Sequence, residues 1–335
     1  MILDIQPLGF QWQTRDPFLF CAFHEDFFPK GNADMGPAAS LAGRNIGMDF
    51  QIKDGWRMYH GDRIPGFPHH PHRGFETITI VQKGLVDHAD SLGAAGRYGE
   101  GDVQWMTAGS GVQHSEMFPL VRQDADNPLL LFQLWLNLPA RSKMVAPHFG
   151  MFWGRDLPRV HTQDADGNEI KVELTAGEYL GTRSLPPPPD SWAGDPANHV
   201  AVWVIDLAPN AQWELPAAVA GLNRTLYFFE GQSAKIAGHT IAVKHSVQLE
   251  PDQAVAIRNG EVPARLLLLQ GRPIGEPVAQ HGPFVMNTRE ELMQAFSDYQ
   301  RTQFGGWPWP RSDQVHGTRG RFARFADGTE TEAPT

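Results

Sequence analysis

Thr77-Ile78-Thr79-Ile80-Val81-Gln82-Lys83-Gly84-Leu85-Val86-Asp87-His88-Ala89-Asp90 decides the architecture. Polar and apolar residues alternate from Thr77 to Val81, the period of a β-strand. This puts Ile78 and Ile80 on one face, with Glu76 beside them if the strand starts there. Lys83-Gly84 supplies the glycine that a tight turn needs, and a second strand is predicted over Leu85 to Asp90. Working outward, short strands are predicted over Val103 to Ala108, Gln113 to Met117 and Leu129 to Asn137, with turns at Ser91-Leu92-Gly93 and Gly99-Glu100-Gly101-Asp102. Short strands between Gly, Pro and Asp turns point to an all-β sandwich or barrel rather than alternating βα units.

A second set of strands is expected within His199 to Asp206, Thr225 to Gly231 and Arg265 to Gly271. The two halves look like variants of one plan, since Val81-Gln82-Lys83-Gly84 is matched by Phe228-Phe229-Glu230-Gly231, and Gly101-Asp102 by Pro251-Asp252. Between them Leu185-Pro186-Pro187-Pro188-Pro189-Asp190-Ser191 cannot join a central sheet and reads as a stiff connector. From Thr288 to Tyr299 the pattern becomes helical: Thr288 can cap, Glu291 stands three residues on, and Leu292, Phe296 and Tyr299 share one side. The expected division is an N-terminal barrel over 1–150, a connector over 151–195, a second barrel with the helix over 196–303, and a surface tail over 304–335, frayed at its end.

Two ligand pairs stand 42 residues apart, His70-Pro71-His72 and His114-Ser115-Glu116. On a strand, residues i and i+2 share a face, so each pair can present both side chains to one point. Three imidazoles and a carboxylate suit a divalent transition ion such as iron, nickel, copper or manganese, and the lack of thiolates argues against structural zinc. His69, Arg73 and Gln113 have the wrong parity for ligands. Glu76 could reach the ion only if the chain turned at Gly74, and is read as a residue behind or at the entrance of the site. His88 and Asp90 share a face and are expected to hydrogen-bond, while Trp105 and Met106 are expected as core or cavity wall. In the second half His199, His239 and His245 are scattered and form no such pair.

The chain has 335 residues, 41% hydrophobic and 20% charged, an ordinary globular balance with room for two cores. Its 28 basic and 38 acidic residues give a net charge of −10, which argues against nucleic acid as a direct partner. No leader-like N-terminus and no apolar run of membrane-spanning length is seen, so a soluble, cytoplasmic protein is expected. The single cysteine, Cys21, lies in an apolar run and is expected to be a buried, inert thiol. No phosphate loop, Cys-x-x-Cys pair or Gly-x-Ser-x-Gly elbow is present, so nucleotide, thiol and serine chemistry have no support.

The strings Asp16-Pro17-Phe18-Leu19-Phe20, His70-Pro71-His72-Arg73-Gly74-Phe75-Glu76-Thr77, Gly101 to Gly109, His114-Ser115-Glu116-Met117 and Gln280 to Thr288 resemble the pirins, two-domain members of the cupin superfamily, over nearly the whole chain. The resemblance implies two tandem jelly-roll-like cupin β-barrels with a C-terminal helix and an extended tail. It also implies one Fe(II) in the N-terminal barrel, held by the residues matching His70, His72, His114 and Glu116, and a second barrel without metal. The tail after Phe304 departs from the shorter members.

Some relatives resemble quercetin 2,3-dioxygenases, which open the central ring of a flavonol with O2 and release carbon monoxide. On this reading the partners are a small aromatic substrate with vicinal oxygens and O2, and Glu116 is both ligand and proton acceptor. Other relatives act as iron-dependent, redox-responsive partners of a transcription factor or metabolic enzyme, which is the alternative expectation.

Overall fold

The structure, a computed structural model, describes residues 1–334. It is mostly β, and none of its helices is long and apolar enough to cross a membrane. The chain forms two compact units, Met1–Cys21 with Asp156–Gly275, and Ala22–Arg155 with the chain from Glu276 onward. Neither unit is a continuous stretch, so the molecule is cut differently from the linear division 1–150, 151–195, 196–303 and 304–335.

In the unit that carries His70, one six-stranded sheet runs in the order Glu330–Glu332, Phe322–Arg324, Ala95–Gly99, Leu85–Asp90, Val112–Met117, Gly66–His72. A second sheet runs His148–Phe152, Val103–Thr107, Phe75–Lys83, Asn127–Asn137, Phe18–Phe28. The predicted strands are all present within two residues at each end. The Ala95–Gly99 strand lies between the two predicted turns, where Ala95-Gly96-Arg97-Tyr98-Gly99 has little apolar content to mark a strand. Its glycines let neighbours approach closely, since a Cβ on Gly99 would stand 2.0 Å from the Gly84 carbonyl oxygen.

The C-terminal segment completes this unit. A helix spans Arg289–Thr302 and begins with the expected capping box: Glu291 N donates to Thr288 Oγ1 and Thr288 N to Glu291 Oε2, both at 3.1 Å. The helix was expected with the second barrel but belongs here. Phe284, Met286, Ala295 and Phe304 form one apolar cluster, and Asp298 pairs with Arg73 at 2.9 Å.

The tail is not frayed over its described length. Its Phe322–Arg324 strand extends the sheet by pairing with Ala95–Gly99, and Glu330–Glu332 pairs with it in turn. Trp309 Nε1 donates to the Asp90 carbonyl at 2.7 Å, and Arg97, bidentate to Asp87, donates to the carbonyls of Gly317 and Arg319.

The other unit has a seven-stranded sheet in the order Ile2–Pro7, His245–Leu249, Asn223–Glu230, Ala264–Gly271, Ala201–Leu207, Glu169–Ala176, Arg159–Gln163, and a four-stranded one of Gln212–Leu215, Val255–Asn259, Ser233–Ile236, His239–Ala242. Their inner faces meet in a core that includes Leu174, Trp203, Leu226, Phe228, Leu266 and Leu268. Cys21 is a buried free thiol, as its apolar run predicts.

Candidate metal centre

The Gly66–His72 and Val112–Met117 strands are antiparallel neighbours in one sheet, and the register sets His70 directly opposite His114. A bulge between Phe67 and His70 shifts the ladder just before the first histidine. Direct opposition brings His70 Nε2 to 3.0 Å from His114 Nε2, and the coordinating nitrogens of His70, His72 and His114 all lie within 4.8 Å of one another. Glu116, two residues along the same strand face, places Oε2 3.7 Å from His114 Nε2. The parity argument holds, with the two pairs side by side in one sheet rather than on facing strands.

Hydrogen bonds fix which nitrogens converge. His70 Nδ1 lies 2.9 Å from the Pro68 carbonyl, and His72 Nδ1 lies 3.4 Å from that of Pro283. A carbonyl only accepts, so both Nδ1 atoms carry the proton and both Nε2 atoms keep a lone pair. Such outer partners are the usual means of orienting ligand histidines.

Burial reinforces the neutral form. His72, His114 and Glu116 are 3%, 0% and 5% exposed, and His70 is half-buried. Burial lowers the His70 pKa to about 4 and pushes His72 and His114 well below the usual imidazole value. It raises the Glu116 carboxyl, against the pull of His88 and of hydrogen bonds from Thr79 and Gln133. Neutral imidazoles converging beside a buried carboxylate form a donor set that fits a divalent transition ion, and a cation there would offset the cost of the buried charge.

Glu116 is held from the opposite sheet. Thr79 Oγ1 is 3.0 Å from Glu116 Oε1 and 2.9 Å from Gln133 Oε1, while Gln133 Nε2 donates to Glu116 Oε2 at 3.0 Å. Thr79 and Gln133 are cross-strand partners in that sheet. Two residues along, Trp135 lies 5.4 Å ring to ring from His72 and 4.3 Å from Phe75. Phe67, His70, Gln133 and Trp135 are half-buried.

Of the other residues singled out in the sequence, His88 stands beside the site, opposite Glu116 in the sheet and 5.4 Å ring to ring from His114. The chain does turn at Gly74, where a Cβ would stand 1.9 Å from the Val285 carbonyl oxygen, but the ligand atoms within 4.8 Å of one another are those of the three histidines, without Glu116 or Glu76. Glu76 has the parity of Ile78 and Ile80, opposite to Thr79, and accepts a 2.7 Å bond from Thr107. His69 stacks on Trp307 at 5.0 Å, Arg73 bonds Ser110 and Asp298, and Gln113 bonds the carbonyls of Gln303 and Gly306, all away from the histidines. His88 and Asp90 share a 3.3 Å bond, as expected. Trp105 and Met106 are both buried, Met106 in a cluster with Ala108 and Val112.

Thr79, Gln133 and Pro283 were not singled out in the sequence. The threonines of Thr77-Ile78-Thr79 were visible as a polar stripe. What remained hidden is that this stripe faces inward.

Comparisons with known proteins agree with this architecture. The Pirin family model matches residues 9–136, and the Pirin C-terminal cupin domain matches residues 202–305. A pirin-like protein of Caulobacter vibrioides is 42% identical over 243 residues, covering 72% of this chain and 82% of that protein. Human pirin is 34% identical over 253 residues, covering 74% and 80%. A crystal structure of quercetin 2,3-dioxygenase from Acinetobacter baumannii superposes with a TM-score of 0.71 at 26% identity, covering 91% of this chain and 98% of that one.

Proposed function

This chain belongs to the pirin family, with two cupin domains, and from that premise we propose that it is a cytoplasmic, metal-dependent dioxygenase of the quercetin 2,3-dioxygenase type. Its reaction would be the O2-dependent opening of the central ring of a flavonol-like aromatic, with release of carbon monoxide. His70, His72, His114 and Glu116 would hold one Fe(II), a role that other divalent transition ions could also fill. The observation that carries the reading is the convergence of three neutral imidazoles, one of them 3.7 Å from a buried glutamate that is itself held from the opposite sheet.

When bound, the ion supplies Lewis acidity to the substrate's vicinal oxygens and lowers the pKa of its hydroxyl. The protein's own part is to orient the substrate and take its proton. Half-buried Trp135, backed by the buried Phe75, offers an apolar ring beside His72 for an aromatic substrate. Glu116 takes the hydroxyl proton, and its carboxyl, raised by burial, is suited to a general base.

Thr79 has one hydroxyl proton and two acceptor oxygens within 3.0 Å, so it can serve only one at a time. With Glu116 ionised, Thr79 donates to Oε1. Once Oε1 is protonated, Thr79 accepts from it and turns its own proton to Gln133 Oε1. The carboxyl thus keeps a partner in both states.

The test is oxygen uptake and carbon monoxide release by the iron-loaded protein with quercetin, with Glu116→Gln as control. Turnover that exceeds free iron and collapses in Glu116→Gln supports the reading. Turnover no greater than that of free iron overturns it.

A further inference from the structure

The second unit contains a cavity of about 830 Å³, within the ordinary range for a small-molecule site. It opens where the seven-stranded sheet presents polar side chains beyond its apolar core. Gln270 pairs with both Ala201 and Arg224 on adjacent strands, so the three side chains share a face, and Trp203 lies two residues along from Ala201 on that face. Deeper on the same face stand Leu226 and Leu268 of the core. Pro186 and Pro187 of the proline run also line the cavity, so the segment read as a connector forms part of its wall.

Arg224 is 1% exposed. Its Nε donates to Gln270 Oε1 at 2.6 Å and its Nη1 to the Pro216 carbonyl at 2.8 Å. Among the described residues no carboxylate pairs with it and Nη2 makes no hydrogen bond, while burial alone lowers its pKa, to about 10. A buried guanidinium without a counter-charge is costly. In the same lining, Trp203 is 4% exposed and its indole N–H has no hydrogen-bond partner. Arg183, the other cation of the lining, is exposed and already paired with Glu178 at 2.7 Å. One uncompensated guanidinium edge and one indole N–H suit a singly charged planar anion better than a phosphate dianion. The aromatic Tyr179 and the two prolines suit an apolar body attached to it.

We propose that this cavity binds a small organic carboxylate with a flat apolar body, its carboxylate taken by Arg224 and the Trp203 indole N–H. Nothing in the proposal depends on the metal centre or on dioxygenase activity.

The test uses the full chain labelled with [15N]tryptophan, with 2-naphthoate as probe and 2-naphthamide as its neutral counterpart. The naphthoate should saturably shift the indole N–H resonance that is missing from Trp203→Phe, and the amide should not. Arg224→Met, close in length but uncharged, should weaken naphthoate binding about tenfold or more. Absence of a saturable shift at that resonance overturns the proposal, as does equal binding of the two probes or an unchanged affinity in Arg224→Met. The comparison of probes on the wild-type protein needs no variant, so the proposal stays testable if Arg224→Met fails to fold.

Discussion

The two barrels use related sheets to opposite ends. In the second, inward positions carry Leu226, Phe228, Leu266 and Leu268 against Trp213 and Ile257, a core that needs nothing but itself. In the first, inward positions carry His70, His72, His114, Glu116, Thr79 and Gln133. Thr77 Oγ1, His88 Nδ1, the Gln104 amide and His114 Nδ1 are buried there without a hydrogen-bond partner. Each such atom costs roughly 1–3 kcal/mol. A polar barrel interior is therefore a liability that a bound cation and substrate can offset, whereas the apolar one contributes stability and no chemistry. In the second barrel Arg224 and Gln270 stand beyond the end of the apolar core, where they line the cavity.

Histidine substitution should produce the largest difference between the barrels. Protein purified without added metal should carry about one ion per chain, His114→Ala should carry almost none, and His245→Ala should match wild type. Elemental analysis reads this, and equal metal in all three would erase the contrast. Next in size, Leu268→Ala in the second core should destabilise by about 2–5 kcal/mol in denaturant unfolding, with metal content unchanged. A loss of metal in that variant would mean that the two interiors are not independent. Thr79→Val keeps the shape and removes the hydroxyl that supports Glu116, so metal affinity measured by competition with a chelator should fall about 10–100-fold. An unchanged affinity would show that Thr79 is only core.

The smallest effect concerns Lys143 in the first unit. Its Nζ donates to Gly74 O and Asn137 Oδ1 at 2.8 Å, beside the turn that follows His72, and burial lowers its pKa to about 8 from an ordinary 10.5. Between those values the unfolded chain binds the proton and the folded chain does not, so stability rises with pH through that window. The cost of burying the charge is fully present below about pH 8. Relative to Lys143→Met, the wild type should gain on the order of 1 kcal/mol between pH 8 and 9. A flat difference in unfolding free energy across that range would contradict it.

The two candidate pairs were legible because strand parity is a local property: two residues on one strand face need no knowledge of the partner strand. The same parity correctly set aside His69, Arg73 and Gln113. Parity alone does not say which face is inside. The apolar stripe of Ile78 and Ile80 invites an inward reading, yet Thr79 is the residue that reaches Glu116, because both faces of this strand are buried and polarity no longer marks the interior. Contacts across the sequence were harder still. Pro283 against His72, 211 residues apart, and Phe322–Arg324 on the edge of the Ala95–Gly99 strand leave no periodic trace. The discontinuous units escaped for the same reason, since a linear reading of composition divides a chain only in order. The helix over Arg289–Thr302 was visible because its capping box is a local signal, but the unit it packs into is decided by Arg73, Phe284 and Phe304.

The most direct measurement is an anomalous-difference map at the absorption edge of the metal found in the purified protein. The account predicts a single strong peak within coordination distance of His70, His72, His114 and Glu116, and none in the second barrel. A peak bound by other residues, or histidines turned apart around an empty centre in metal-replete crystals, would contradict it.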